Sequence, residues 1–186
     1  MVIKTETTEI VTQPKTIHWA EPSLKRWLKH FFFMPAAKRY FSKQDQYEIA
    51  QAVKQAEQGH VGEIQVVIEG HIPSQHAYGQ NTRIRARQLF AELGVWDTQY
   101  NSGVLLYLNL CECKVEIVID RGLQQATEQQ VWDDICQKIV SNLAQQYFRL
   151  AVINGVNEIG SVLNHFYDHS IEDQGNELPD SPILLR

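Results

Sequence analysis

Apolar positions along this chain alternate between two periods, and the changes of period mark its elements. Leu24, Trp27, Leu28 and Phe31 recur at i, i+3, i+4 and i+7, which is one face of a helix. Pro35 stops or kinks that helix. Ser42 is a helix-capping residue type, and Ile49, Ala52, Val53 and Ala56 supply an apolar stripe up to about Gln58, with Gly59 as the stop. Residues 62–70, GEIQVVIEG, are rich in β-branched side chains and predict a strand. HIPSQHAYGQN reads as a loop, after which Asn81 or Thr82 opens a helix with Ala86, Leu89, Phe90 and Leu93 inward and Gly94 at its end.

VLLYLNL is apolar on both faces and predicts a central strand, buried twice over. KVEIVID follows a turn at Cys111–Cys113 and completes a hairpin. Thr127-Glu128-Gln129-Gln130 matches a capping box, opening a helix that buries Trp132, Ile135, Cys136, Ile139 and Leu143. A last helix, about 149–167, buries Val152, Val156, Ile159, Leu163 and Phe166. Gly155 and Gly160 inside it each cost ~1 kcal/mol relative to Ala, so they predict close packing against a neighbour.

The order α-β-α-β-β-α-α predicts an α/β protein: a three-layer α/β/α sandwich around a small mixed sheet. Residues 1–17, polar and without apolar period, are expected to be disordered. Residues 18–41 form a basic aromatic arm, 42–168 the domain, and 169–186 an extended acidic tail.

Composition narrows the function. With 44% hydrophobic and 21% charged residues and a net charge of -5, the chain is a globular type in which no nucleic-acid binding is expected. Three cysteines fit no small disulfide framework and read as thiols. The sequence shows no secretory signal and no apolar run of the ~20 residues a membrane span needs, so the expected location is the cytoplasm, or the periphery of the inner membrane. Charge is unevenly spread. From Lys15 to Lys43 there are seven bases against the single acid Glu21, while five acids follow Tyr167.

The predicted topology returns Asp120-Arg121-Gly122 beside Asn101-Ser102-Gly103, with Gly62-Glu63 at the same edge. Glu63, Asp97, Asn101 and Asp120, with His60, can therefore meet although sixty positions separate them. Hard oxygen ligands of this kind suit Ca²⁺ or Mg²⁺. The competing reading is ordinary turn chemistry at strand ends. Arg121 could pair with one of the acids, and Arg83 and Arg87, at i and i+4, could face a phosphate or an acidic partner. Open α/β sheets bind ligands at the carboxyl ends of their parallel strands, which points instead to Glu69, His71 and Cys111. Cys111 and Cys113, two apart on a strand, would face one side, but no second cysteine pair completes a zinc site.

NSGVLLYLNLCECKVEIVIDRGL, together with His60-Val61-Gly62-Glu63-Ile64, RARQLFAELGVWDT, Trp132 and the tail Asn176-Glu177-Leu178-Pro179-Asp180, resembles the TPM domain family, in particular its short bacterial members. The family also occurs in plant thylakoid-lumen proteins of the photosystem II repair cycle. The resemblance, over about residues 42–168, implies an α/β/α sandwich with divalent-metal binding and, for some members, acid phosphatase-like activity. Asn101-Ser102-Gly103 matches the family's Asn-Asn-Gly start. Asp120 to Leu123 stands where many members read Gly-Tyr-Gly-Leu-Glu, and Gln124 replaces the final carboxylate. The implied function is a divalent-metal-binding accessory or scaffold module that acts with a membrane-associated complex. The alternative is a weak metal-dependent acid phosphatase, with catalytic residues unassigned and no organic cofactor. No P-loop, thiol-phosphatase spacing or Asp-x-Asp pair is present, which leaves a metal-activated water as the route for such chemistry. The arm has two readings: its aromatics pack on the domain, the favoured one, or they lie on a membrane surface.

Overall fold

The run Gly103–Asn109 forms β3, the middle strand of a five-stranded mixed sheet in this computed structural model, which describes residues 8–10, 20–33, 37–124, 127–167 and 175–185. All seven β3 residues are buried, as their two-sided apolar pattern requires. β2 (Glu63–Glu69) lies parallel to β3 in register Glu63↔Gly103 through Glu69↔Asn109. β4 (Lys114–Ile119) folds back antiparallel, pairing Val104 with Ile119 and Asn109 with Lys114. Short strands extend both sides: β1 (Thr8–Ile10) runs parallel to β4, and β5 (Ile183–Leu185) parallel to β2. The strand order is β1-β4-β3-β2-β5.

Seven α-helices stand among the described residues: α1 (Leu24–Phe32), α2 (Lys43–Ala56), α3 (Ser74–Ala77), α4 (Thr82–Glu92), α5 (Arg121–Gln124), α6 (Gln129–Ala144) and α7 (Phe148–Phe166). The predicted α-β-α-β-β-α-α series is α2-β2-α4-β3-β4-α6-α7, and the fold is the expected α/β/α sandwich. α2, α6 and α7 cover one face, where Ile64, Val66, Ile68, Leu106, Ile117 and Trp132 belong to the large apolar core. α4 covers the other face over a smaller cluster that includes Val67, Leu105, Tyr107 and Phe90.

Local chemistry explains most boundaries. Ser42 caps α2, its hydroxyl accepting from the Asp45 N–H while Asp45 reaches back to the Ser42 N–H. Asn81 caps α4 through Ile84 N–H. The capping box expected at Thr127 does not form. Glu128 is the N-cap and makes no side-chain cap, because the Thr127 hydroxyl donates to Leu123 O and accepts from the Trp132 indole N–H (2.9 Å each). Trp132 is fully buried, and its one polar atom outranks a helix end that other groups can satisfy.

Three sequence expectations need correction. Residues 8–10, placed in a disordered stretch, form β1, where β-branched Thr8 and Ile10 fall opposite Ile117 and Ile119 on the open edge of β4; residues 1–7 and 11–17 lie outside the described residues. The tail is not merely extended, since β5 pairs with β2 and Leu178 is buried; residues 168–174 and 186 lie outside the description. Cys111 and Cys113 do not share a face. They sit in the β3–β4 turn, where Cys113 adopts φ 53°, leaving Cys111 buried and Cys113 exposed.

The two α7 glycines separate what close packing demands. A Cβ on Gly160 would lie 2.7 Å from Ala56 Cβ, 2.9 Å from Ala56 O and 3.0 Å from Ala56 Cα, so a backbone would have to move. A Cβ on Gly155 would meet chiefly the Cδ1 end of the Ile139 side chain, which can rotate away. Gly160→Ala should lower the unfolding free energy by about 1–3 kcal/mol despite its gain in helix propensity. Gly155→Ala should stay within about 1 kcal/mol of wild type. Urea unfolding of the two variants side by side tests this ordering.

Candidate functional site

The register of β2, β3 and β4 places Glu63, Gly103 and Asp120 in a row at one rim of the sheet. Asp120 N–H donates to Gly103 O (3.0 Å), and Gly122 N–H donates to Asn101 O (3.1 Å). Gly122 is required by that approach: a Cβ there would lie 2.5 Å from Asn101 O and 3.0 Å from Tyr100 O. Asn101 turns the chain with φ 51°, a conformation that asparagine tolerates. Ser102 is buried and locks the turn, its hydroxyl donating to Val61 O (2.6 Å) and its N–H to Thr98 Oγ1 (2.9 Å).

Asp120 is the unusual member. It is buried; Oδ1 accepts from Arg121 N–H (2.6 Å), while Oδ2 is buried with no hydrogen-bond partner among the described residues. Burial raises its pKa, and the N–H and charge of Arg121 pull the other way. The Tyr167 hydroxyl is likewise buried without a hydrogen bond of ordinary geometry among the described residues. Ser102 lies near it but directs its proton to Val61 O. Burial, reinforced by the Asp120 charge, pushes the Tyr167 phenol up to about 12. His60 tilts against the Tyr167 ring at 6.3 Å between centroids and acts as a brace: Nε2 donates to Ala56 O (2.8 Å) and Nδ1 accepts from Gly62 N–H (3.0 Å).

The other sequence candidates divide. Asn101 is exposed beside the Asp120 loop, as the topology requires. Glu63 stands in the same row, but its two oxygens accept from Glu177 N–H (3.3 Å) and Leu178 N–H (3.1 Å), holding the tail against the sheet. Glu177 in turn accepts from Gln99 N–H. Asp97 sits on an exposed turn, and no described contact joins its carboxylate to Asp120. Among the described residues, no group of three His, Cys, Asp or Glu side chains is placed to hold a metal ion. Arg121 is exposed and meets Asp120 through its backbone rather than by an ion pair among the described residues.

Sequence reasoning missed the polar face under α4. Arg85, nine-tenths buried, grips Glu69 through Nη2 (2.9 Å) and Nε (3.1 Å). Tyr107 donates to Glu69 Oε2 (2.6 Å), and Asn109 Nδ2 donates to the Tyr107 hydroxyl (2.9 Å). Asn109 Oδ1 accepts from Glu112 N–H (2.9 Å), and Glu112 meets His30 Nε2 at 3.1 Å. The His30 bond, more than any neighbouring charge, holds the Glu112 carboxyl down at about 2. The carboxyl ends of the parallel strands, where an open sheet would receive a ligand, are thus filled by an internal network. Arg83 and Arg87 lean over Glu116 of β4, and both favour its charge. A sequence signal existed: Glu69, Tyr107, Asn109 and Glu116 share one face of their strands by alternation, opposite an Arg-x-Arg-x-Arg helix.

Comparisons agree with this geometry. The family model described as the TPM domain matches residues 36–162. Among solved structures, the NMR structure of BA42 protein from the psychrophilic bacterium Bizionia argentinensis is similar at a TM-score of 0.69 and 23% identity, covering 81% of this chain and 99% of that one. At that identity the likeness speaks for the fold. No curated protein matches.

Glu116 supplies a measurable consequence. It is buried, one oxygen accepts a hydrogen bond from the Thr82 hydroxyl, and the other has none among the described residues; burial pushes its pKa from 4.5 up to about 7, against the pull of the Thr82 bond and of Lys114, Arg83 and Arg87. The folded carboxyl therefore holds its proton more tightly than the unfolded one. Folding gains from that proton below about pH 4.5, and the gain is lost as the pH rises through about 7. The full difference is on the order of 3 kcal/mol. Glu116→Gln keeps the Thr82 acceptor and should remove this pH dependence, so its stability advantage over wild type should be larger at pH 8 than at pH 5 in matched denaturant titrations.

Proposed function

The chain belongs to the TPM domain family, and on that premise we propose that it is an accessory module of a membrane-associated complex whose β3–β4 rim takes up a divalent cation at low affinity and which turns over no substrate itself. The observation that carries this reading is the Asp120 carboxylate, buried with one oxygen lacking a partner among the described residues. A dication held there would satisfy that oxygen and offset the burial that raises the group's pKa. The adjoining turn offers further hard oxygens: the Tyr100 carbonyl, turned toward Gly122, and the exposed side chain of Asn101. This donor set suits Ca²⁺ or Mg²⁺ rather than a soft metal.

Low affinity follows from the same list. Ca²⁺ takes six to eight oxygens, and its affinity tracks the number of charged ligands. One carboxylate with carbonyl, amide and water oxygens places the dissociation constant at roughly 10⁻⁴–10⁻³ M. Glu63 is committed to the tail amides, and Gln124 stands where the family resemblance would put an acid. A nucleophile in attacking position is not evident: Ser102 and Thr98 are buried and hydrogen-bonded, and burial raises the Cys111 thiol to about 11.

Calcium titration followed by amide NMR should give saturable shifts at residues 100–103 and 120–123 and at Tyr167, with the midpoint near millimolar. Asp120→Asn should abolish those shifts with the fold retained. Phosphoester turnover that appears with Mg²⁺, Mn²⁺ or Ca²⁺ and disappears in Asp120→Asn would overturn the accessory reading in favour of hydrolysis. Shifts that persist in that variant would move the cation elsewhere.

A further inference from the structure

α1 is built the wrong way round for a helix that belongs to the core. Its polar side faces the domain. Arg26 Nε donates to Ala77 O (2.8 Å), and its Nη2 donates to Tyr78 O (2.8 Å) and Glu21 O (3.0 Å). His30 is fully buried, meeting Glu112 through Nε2 (3.1 Å) and accepting from Ile72 N–H at Nδ1 (3.1 Å). The apolar side faces out: Leu24 is 61%, Leu28 40%, Phe31 53% and Phe32 69% exposed. Trp27 stacks on Phe31 with centroids 5.1 Å apart, and Phe31 meets Phe32 edge-on. The sequence argument favoured aromatics packed on the domain; the structure turns this stripe outward.

We propose that α1 docks the domain on an anionic lipid surface. The occupant is chosen by charge and shape. Lys25 and Lys29 are exposed along the border of the apolar ridge, Lys38 and Arg39 are exposed in the short helical turn Ala37–Arg39 that follows in the chain, and α1 itself carries no acid. This basic border stands on a chain whose net charge is -5, so it is a local feature rather than a general bias. The apolar surface is a convex ridge about 14 Å long, at 1.5 Å per residue, and not a groove. Trp and Phe on one side with Lys along the polar border is the pattern of helices that lie in a bilayer interface, whereas lysine is depleted at protein interfaces. Tyr78, half exposed, adjoins the helix start through its carbonyl, which accepts from Ser23 N–H (3.1 Å), and extends the aromatic edge. No helix among the described residues is long and apolar enough to cross a membrane, so the contact is with the surface.

This inference stands on α1 alone and not on the cation rim. The test is sedimentation of the full chain with vesicles of phosphatidylcholine, with or without phosphatidylglycerol, in the presence of a chelator, so that failure here leaves the rim reading standing. Wild type should sediment with the anionic vesicles, and less so at high salt. The double variant Leu28→Glu, Phe31→Glu should lose more than about tenfold in partitioning. Lys25→Gln with Lys29→Gln should lose about thirtyfold, at roughly fivefold for each lysine near the surface, and only on anionic vesicles. Circular dichroism confirms that each variant keeps its helix content. Wild type remaining in the supernatant, or binding neutral and anionic vesicles equally, overturns the proposal. So does a concentration-dependent dimer that Leu28→Glu, Phe31→Glu dissolves while vesicle binding is absent, since a second copy would then cover the ridge.

Discussion

Burial of β3 on both faces is the constraint from which the rest follows. A strand whose seven residues are all out of water needs a neighbour on each side and a layer above and below. β2 and β4 provide the sides. Above, α2, α6 and α7 provide a dry layer of aliphatic side chains around Trp132. Below, among the described residues, α4 and the returning tail cover a face that carries Glu69, Glu116, Tyr107 and Asn109. The two layers obey different rules. The dry one is held by area and close fit. The wet one is held by paired charges and donated protons, which cost desolvation and repay it through specific geometry.

That asymmetry sets where anything can bind. At the carboxyl ends of β2 and β3 the chain Arg85–Glu69–Tyr107–Asn109 runs unbroken through the β3–β4 turn to Glu112 and His30. Every link has a donor and an acceptor, so little is left to recruit a ligand. At the opposite rim the accounting does not close. Among the described residues, Asp120 Oδ2 and the Tyr167 hydroxyl are buried without a hydrogen bond of ordinary geometry, beside a turn that only Gly122 allows to approach so closely. Among the buried groups left open, which include Glu116 Oε2 under α4, the rim pair is the one at a sheet end that the network does not reach, and there function is expected before stability.

Much of the architecture was legible because it is periodic. The helix stripes of α2, α4, α6 and α7 and the three long strands follow from apolar spacing, and Gly160 announced by its cost in a helix a close neighbour, which the structure shows to be α2. β1 and β5 were not legible, because three residues cannot show a period and their pairing depends on an edge that exists only after folding. The rim was half legible. Topology brings Asn101 and Asp120 together, but Glu63 points its carboxylate at amides more than a hundred residues away, and no local pattern foretells that. The α4 face was hidden for another reason: Glu69 and Glu116 look like ordinary strand-edge acids until Arg85, Arg83 and Arg87 are laid over them.

The same logic explains the orientation of α1, against the usual preference for burying an apolar stripe. Rotating the helix would turn Trp27 and Phe31 inward, at a gain of roughly 1.5–3 kcal/mol for each side chain fully buried. It would also strip the Ala77 carbonyl and the Ile72 N–H of their side-chain partners and leave Glu112 with Lys114 in place of the His30 bond, at about 1–3 kcal/mol for each group left buried and unpaired. The two sums are comparable, so the surface beneath decides. That surface is the segment 71–80 with Glu112 beside it, which holds partners for Arg26 and His30. Hydrogen bonding therefore fixes which side faces in, and the exposed aromatic ridge is a consequence of the fold's own polar network rather than a failure of packing.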